Sequence, residues 1–195
     1  MTKRPVSVAI TGGIGAGKSE ALKAFARQGA AVVSSDEIVH RLLRADTAVR
    51  RAIRDRWGDG VFNKHGDVDR GRVADIVFSD RAELDWLEQL LHPRVVLEYL
   101  EWREEQARKP HPPALTVTEV PLLYEAGGDS RFDAVVAITA SDDVRAQRGR
   151  TAVEREARLL PDEEKVERAD FAYVNDGSLD ELDAFVAEVI ARLTA

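Results

Sequence analysis

Apolar positions recur in two rhythms along this chain, and their alternation predicts its architecture. Five short runs have the length and composition of buried strands: Val6 to Ile10, Ala30 to Val33, Ala114 to Val120, Phe132 to Ile138 and Phe171 to Val174. Between them apolar residues fall three and four apart. Ala21 to Ala26 has helical composition, with Gln28-Gly29 as its stop. Ile38, Val39, Leu42 and Leu43 share one side of a polar helix, and Val49, Ile53 and Trp57 continue at spacings of four. The last segment carries Leu182, Phe185, Val186, Val189 and Ile190 on one stripe, behind a Ser178-Leu179-Asp180-Glu181 capping box. Alternating strands and helices predict an α/β fold. Its expected form is three-layered, α/β/α, around a five-stranded parallel sheet with ligands at the carboxyl ends of the strands.

One stretch breaks the alternation. From Asp69 to Arg108 the period is helical throughout, through Val73, Ile76, Val77, Leu87, Leu91 and Val95, and no strand fits. Gly58 to Asp67 precedes it as loops or a short hairpin, and Lys109-Pro110-His111-Pro112-Pro113 ends it, being too rich in proline for helix. Ser141 to Arg168 forms a second departure, charged along its whole length.

Composition narrows the functions available. With 195 residues the chain is one domain, or a core with small insertions, long enough to cover a sheet on both faces. The net charge of −7 argues against general binding to nucleic acid or anionic membrane, and there is no cysteine for a disulfide, thiol catalyst or cysteine-based zinc site. No run reaches the roughly 20 apolar residues that span a bilayer. The sequence is therefore expected to be a cytoplasmic protein without nucleic-acid or membrane partners.

Gly12-Gly13-Ile14-Gly15-Ala16-Gly17-Lys18-Ser19 supplies the chemistry. It satisfies G-x-x-x-x-G-K-S, lies between a strand candidate and a helix candidate, and so reads as a phosphate-binding loop. Glycines let successive N–H groups turn inward on a phosphate. Lys18 brings a mobile positive charge, and the Ser19 hydroxyl can ligate Mg²⁺. A GTPase would carry an N-K-x-D motif late in the chain, and none is present. The short chain, helical insertion and arginine-rich segment fit a small-molecule kinase, which must shut water out. Asp36, just past the second strand, is either a base for an acceptor hydroxyl or the cap of the following helix. Glu119, near the end of the third strand, is either a magnesium-side acid or an exposed strand-end carboxylate. The arginines from 145 to 158 either clamp a phosphoryl group or form a solvated helical surface.

The order of motifs resembles the dephospho-coenzyme A kinase family. Thr11 to Ser19, Asp36, Asp69-Arg70, Val77-Phe78 and Leu87 to Arg94 with its His92-Pro93 carry the likeness. Pro121-Leu122-Leu123-Tyr124-Glu125, Ala169-Asp170-Phe171 and Asn175-Asp176-Gly177 continue it across nearly the whole chain. The resemblance implies transfer of phosphate from ATP, with Mg²⁺, to the ribose 3′-hydroxyl of dephospho-coenzyme A, the last step of coenzyme A synthesis. It implies a P-loop kinase fold: a nucleotide core at 1–57, 114–140 and 170–195, a helical acceptor domain at 58–113, and a lid at 141–169. By position, Asp36 corresponds to the catalytic acid, with Lys18, Arg150 and Arg155 beside it in catalysis. Gly13, Ile14, Gly15, Ala16, Gly17, Lys18, Ser19, Glu20 and Asn175 would hold ATP, and Ser19 and Glu119 the metal. Asp36, Arg70, His92, Pro93, Arg94, Pro121, Leu122, Leu123 and Glu125 would meet the acceptor. A monomer or weak homo-oligomer is expected.

Two departures stand out. The family usually reads Asp-x-Asp after the second strand, whereas this chain has Ser34-Ser35-Asp36. The lid is also shorter between Arg150 and Arg155, with Leu159 where a glutamine is common. The rival readings are a kinase for a nucleoside monophosphate and a nucleotide sensor that has lost catalysis. His92 can instead be a helix-kink residue bonded to backbone, and Pro121-Leu122-Leu123 can be packing. Trp57, Trp86 and Trp102 read as helix-packing residues.

Overall fold

A computed structural model describes residues 4–148 and 160–195. The apolar runs are the strands β1 (Val6–Thr11), β2 (Ala31–Ser34), β3 (Leu115–Glu119), β4 (Ala134–Thr139) and β5 (Phe171–Val174). They form one sheet in the order β2-β3-β1-β4-β5, every pairing parallel. Alternation along β1 sends its side chains to opposite faces. Val8 and Ile10 join Phe25, Leu182 and Val186 in one core cluster, while Ala9 joins Leu123, Tyr124 and Val135 in another. Apolar packing on both faces of a parallel sheet is the three-layer arrangement that the alternation predicts.

The chain's contacts divide into two compact units, one of residues up to Ser35 together with Trp102 onward, the other Asp36 to Glu101. The first contains the sheet with α1 (Lys18–Arg27), α6 (Asp142–Gln147), α7 (Asp162–Arg168) and α8 (Leu179–Thr194). Ser178 caps α8, its hydroxyl accepting from the Glu181 N–H, and the Glu181 carboxylate reaches back to complete the capping box. At the start of β1, Asp133 Oδ2 accepts from the Ser7 N–H at 2.8 Å and the Ser7 hydroxyl at 2.7 Å, while Arg4 reaches Oδ1 at 2.6 Å.

Burial alone would raise the Asp133 carboxyl, but the two bonds from Ser7 and the Arg4 charge outweigh it and hold the carboxyl below its usual value of 3.8. The lowered value means that Asp133 contributes stability above pH 3.8, lost as pH falls through the folded value. Asp133→Asn is therefore expected to cost roughly 1–2 kcal/mol at neutral pH. Urea midpoints for the two proteins should converge on acidification, and a constant gap between pH 7 and pH 3 would contradict the assignment.

The second unit is helical: α2 (Ser35–Ala45), which begins without a loop after β2, α3 (Thr47–Trp57), α4 (Arg70–Ser79) and α5 (Arg81–Ala107), whose last turns belong to the first unit. Phe62 and Val68 make an antiparallel bridge around Asn63 to Asp67, the short hairpin option of the sequence. The unit begins before the expected boundary at 58 because α3 is tied to residues on its C-terminal side. Arg54 pairs with Asp59 at 2.7 Å, and Arg56 and the Trp57 indole N–H both donate to Glu83. Trp57 meets Trp86 edge-on at 5.0 Å, which is the packing role expected of both. It ends before 113 because Arg103 donates to the Arg131 carbonyl and lies over Phe132, in the first unit.

Candidate active site

The turn from β1 into α1 works only with glycine at particular places. Gly12 has φ 141° and Gly17 φ 95°, values that disfavour any side chain. A Cβ on Gly12 would overlap the Ile138 carbonyl oxygen of β4, and one on Gly17 would overlap the Asn175 amide. The loop therefore lies directly on the ends of β4 and β5. Its backbone leaves donors unused: the N–H groups of Ile14, Gly15, Gly17 and Ser19 have no acceptor among the described residues. Four unpaired N–H groups leading into a helix N-terminus form a cradle for an anion. Lys18 arches back over the loop, its ammonium donating to the carbonyls of Gly12 at 3.1 Å and Gly13 at 2.7 Å.

Two side chains brace this cradle from outside. The Asn175 amide donates to the Ala16 carbonyl at 2.9 Å from a nearly buried position. Arg148 donates to the Gly15 carbonyl at 3.0 Å and to the Asn175 carbonyl at 2.9 Å. Asn175 was expected at the nucleotide, and its side chain supports the loop that would hold it. Arg148 was not singled out in the sequence, because nothing in a run of arginines marks which one reaches a carbonyl. Glu20, also expected at the nucleotide, pairs with Lys23 on α1 at 2.7 Å.

Ser19 donates through its hydroxyl to Glu119, 3.3 Å from one carboxylate oxygen. Glu119 is buried at the end of β3, in register with Ile10 of β1 and Ser34 of β2, and so is no exposed strand-end acid. A hydroxyl and a carboxylate beside a phosphate cradle are hard oxygen donors, which suits Mg²⁺. That ion takes few protein ligands and completes its shell with phosphate oxygens and water.

After β3, the segment at 121–125 divides its roles. Pro121 and Leu122 are half-buried, and the Thr11 hydroxyl donates to the Pro121 carbonyl. Leu123 is fully enclosed between Ala9, Tyr124 and Val135, which corrects its expected place against the acceptor: its side chain is core. Glu125 accepts from the Leu160 N–H and pairs with Lys165, each at 2.9 Å.

In the helical unit, Asp36 sits in the first turn of α2, exposed, with no hydrogen-bond or ion-pair partner among the described residues. It accepts from no backbone N–H there, so the capping alternative has no bond to rest on. Arg70 opens α4 just after its cap Asp69, and it is exposed. His92 and Pro93 are exposed on α5, where Pro93 lies inside the helix, and the ring of His92 shows no backbone bond among the described residues. Arg94 donates to the Leu90 carbonyl at 2.6 Å, across the interruption that a proline makes in the helical ladder. Arg150, Arg155 and Leu159 lie outside the described residues.

Comparison with known proteins identifies the family. The sequence profile of the dephospho-CoA kinase family matches residues 6–181. The dephospho-CoA kinase of Protochlamydia amoebophila is 34% identical over 194 residues, covering 95% of each chain. The crystal structure of TT1252 from Thermus thermophilus superposes with a TM-score of 0.78 at 32% identity, covering 99% of this chain and 100% of that one. The dephospho-CoA kinase of Campylobacter jejuni shares the fold, with a TM-score of 0.71 at 23% identity over 96% of both chains. With the profile running from β1 into α8 and the likeness spanning nearly the full length, this chain belongs to the dephospho-CoA kinase family.

Proposed function

We propose that the chain transfers the terminal phosphoryl group of ATP to the ribose 3′-hydroxyl of dephospho-coenzyme A, yielding coenzyme A. The observation that carries this is the cradle of four unpaired N–H groups beside Lys18 and the Ser19–Glu119 pair, in a chain of this family. The loop N–H groups hold the phosphates, and Lys18 neutralises charge on the group in transfer. Ser19 and Glu119 hold Mg²⁺, which when bound offsets the negative charge of the phosphates. Asp36, carried on the turn that follows β2, takes the hydroxyl proton. Arg70, His92, Pro93 and Arg94 belong to the helical insertion and receive the acceptor there, with Pro121 and Leu122 at the edge of the nucleotide core. Residues 141–169 act as a lid, to which Arg150 and Arg155 contribute charge.

The test is a coupled ATP-consumption assay with dephospho-coenzyme A, adenylate and pantothenate as competing acceptors. Turnover is expected with dephospho-coenzyme A, dependent on Mg²⁺, with little from adenylate. Faster turnover with adenylate would overturn the acceptor while leaving the fold untouched.

A further inference from the structure

Among the described residues, Lys165 is a fully enclosed charge that the reaction does not explain. It lies on α7 with none of its surface exposed, and lysine is almost never buried so completely unless paired. Its partner is Glu125, after β3, at 2.9 Å. The same Glu125 oxygen accepts from the Leu160 N–H at 2.9 Å. One carboxylate oxygen thus grips both ends of the stretch from Leu160 to Lys165. The other, Oε2, is buried without a hydrogen-bond partner among the described residues, and the Lys165 ammonium meets Oε1 as an ion pair without hydrogen-bond geometry. Such a pair is a poor source of stability, since desolvating two charges consumes most of their attraction. Its better-attested use is to fix one arrangement against its neighbours.

Between the two gripped points stands Asp162. It pairs with Arg145, whose Nε also donates to the Ala140 carbonyl at 2.9 Å. Both side chains press on the phosphate loop: a Cβ at Gly13 would stand 2.8 Å from an Arg145 guanidinium nitrogen and 2.9 Å from an Asp162 carboxylate oxygen. The path runs from the Glu125 carboxylate to Leu160 and Lys165, along the chain between them to Asp162, and through the Asp162–Arg145 pair to the phosphate loop at Gly13.

We infer that Glu125 and Lys165 are positioning residues for phosphoryl transfer, setting the start of α7 so that Asp162 holds Arg145 against the phosphate loop. Glu125, expected at the acceptor, then acts on the nucleotide side of the reaction. The kinetic part of the inference rests on the proposed function; the geometric part does not. Removing one member leaves a buried charge alone and destabilises the fold, so the informative variant is the neutral pair Glu125→Gln/Lys165→Met. Asp162→Asn breaks the same relay further along without leaving a buried charge unpaired in the core.

Two readouts decide. By nuclear magnetic resonance, the Arg145 Nη–H that faces Asp162 is expected to exchange with solvent about tenfold faster in both variants, because it no longer meets the Asp162 carboxylate, whereas Nε keeps the Ala140 carbonyl. With ATP and dephospho-coenzyme A, kcat is expected to fall roughly ten- to a hundredfold with KM for ATP within about threefold, as for a misplaced but intact site. Adding Asp162→Asn to the neutral pair should cost nothing further, since both act through one contact. Unchanged Arg145 exchange, or kcat losses that multiply, would overturn the relay. Should the neutral pair fail to fold, Asp162→Asn alone decides by the same two measurements. A wild-type chain with no turnover refutes the proposed function, and the exchange rates still judge the relay.

Discussion

Asp36→Asn is expected to lower turnover by roughly 10²–10⁴-fold, the range of a positioned general base, while acceptor binding and thermal stability change little. Asparagine keeps the shape of the side chain and its capping ability, but it cannot take a proton from the ribose hydroxyl. With Ser34 two residues earlier, where the family usually has an acid, the other carboxylate of this turn is Glu37, which leaves the helix about 100° away from Asp36 and so is poorly placed to substitute, and the loss should lie toward the upper end. The structure sharpens the expectation. Asp36 is exposed and accepts from no backbone N–H among the described residues, so the substitution has no cap to weaken. Steady-state kinetics and thermal unfolding on the same variant are the check. A loss below about tenfold falls short of a general base and would return Asp36 to a structural role.

Lys18→Ala is expected to reduce kcat/KM by roughly 10²–10³-fold, because a developing phosphoryl charge loses its fixed donor. The sequence places this lysine in a solvent-facing loop where its loss leaves no cavity. The structure adds that the ammonium ties the carbonyls of Gly12 and Gly13. The variant should therefore also lose about 1 kcal/mol of stability, the scale of a net hydrogen bond at a half-exposed site. Near-normal kcat/KM in a folded variant would mean that the loop has been misread.

The strands were legible because each is a short apolar run flanked by turn or helix signals, and in a sheet covered on both faces nothing else is required of them. The phosphate loop was legible because its glycines answer a steric demand: Gly12 against the Ile138 carbonyl and Gly17 against the Asn175 amide leave no room for substitutes. Partnerships between distant residues were not. Glu125 read as a polar contact for the acceptor, yet its partner Lys165 is one lysine in a charged run, and burial of a single member leaves no periodic trace. Leu123 read either as an acceptor contact or as packing, because a run of apolar residues does not show which one the sheet encloses; it is packing. Arg148 and Arg145 were lost among their neighbours for the same reason: charge density marks a segment, whereas a carbonyl acceptor is found only once the chain has folded. The division between units also escaped the sequence, since the Arg54 and Arg56 contacts that tie α3 to residues after it lie on its polar face, and Trp57, on the apolar stripe, does not reveal its partner.

The direct passage of β2 into α2 sets how much change this part of the chain can absorb. Ser34 is fixed by the ladder to β3, level with Glu119, and Ser35 is already helical. No linker separates a residue locked in register from the carboxylate two positions on. One residue inserted or deleted there would turn Asp36 by about 100° around the helix axis and carry it off its bearing. The proline-rich stretch at 109–113 has the opposite character, joining α5 to β3 without either constraint. Insertions of one or two residues are thus expected to be tolerated in the connector and to abolish turnover at the join of Ser34 to Asp36.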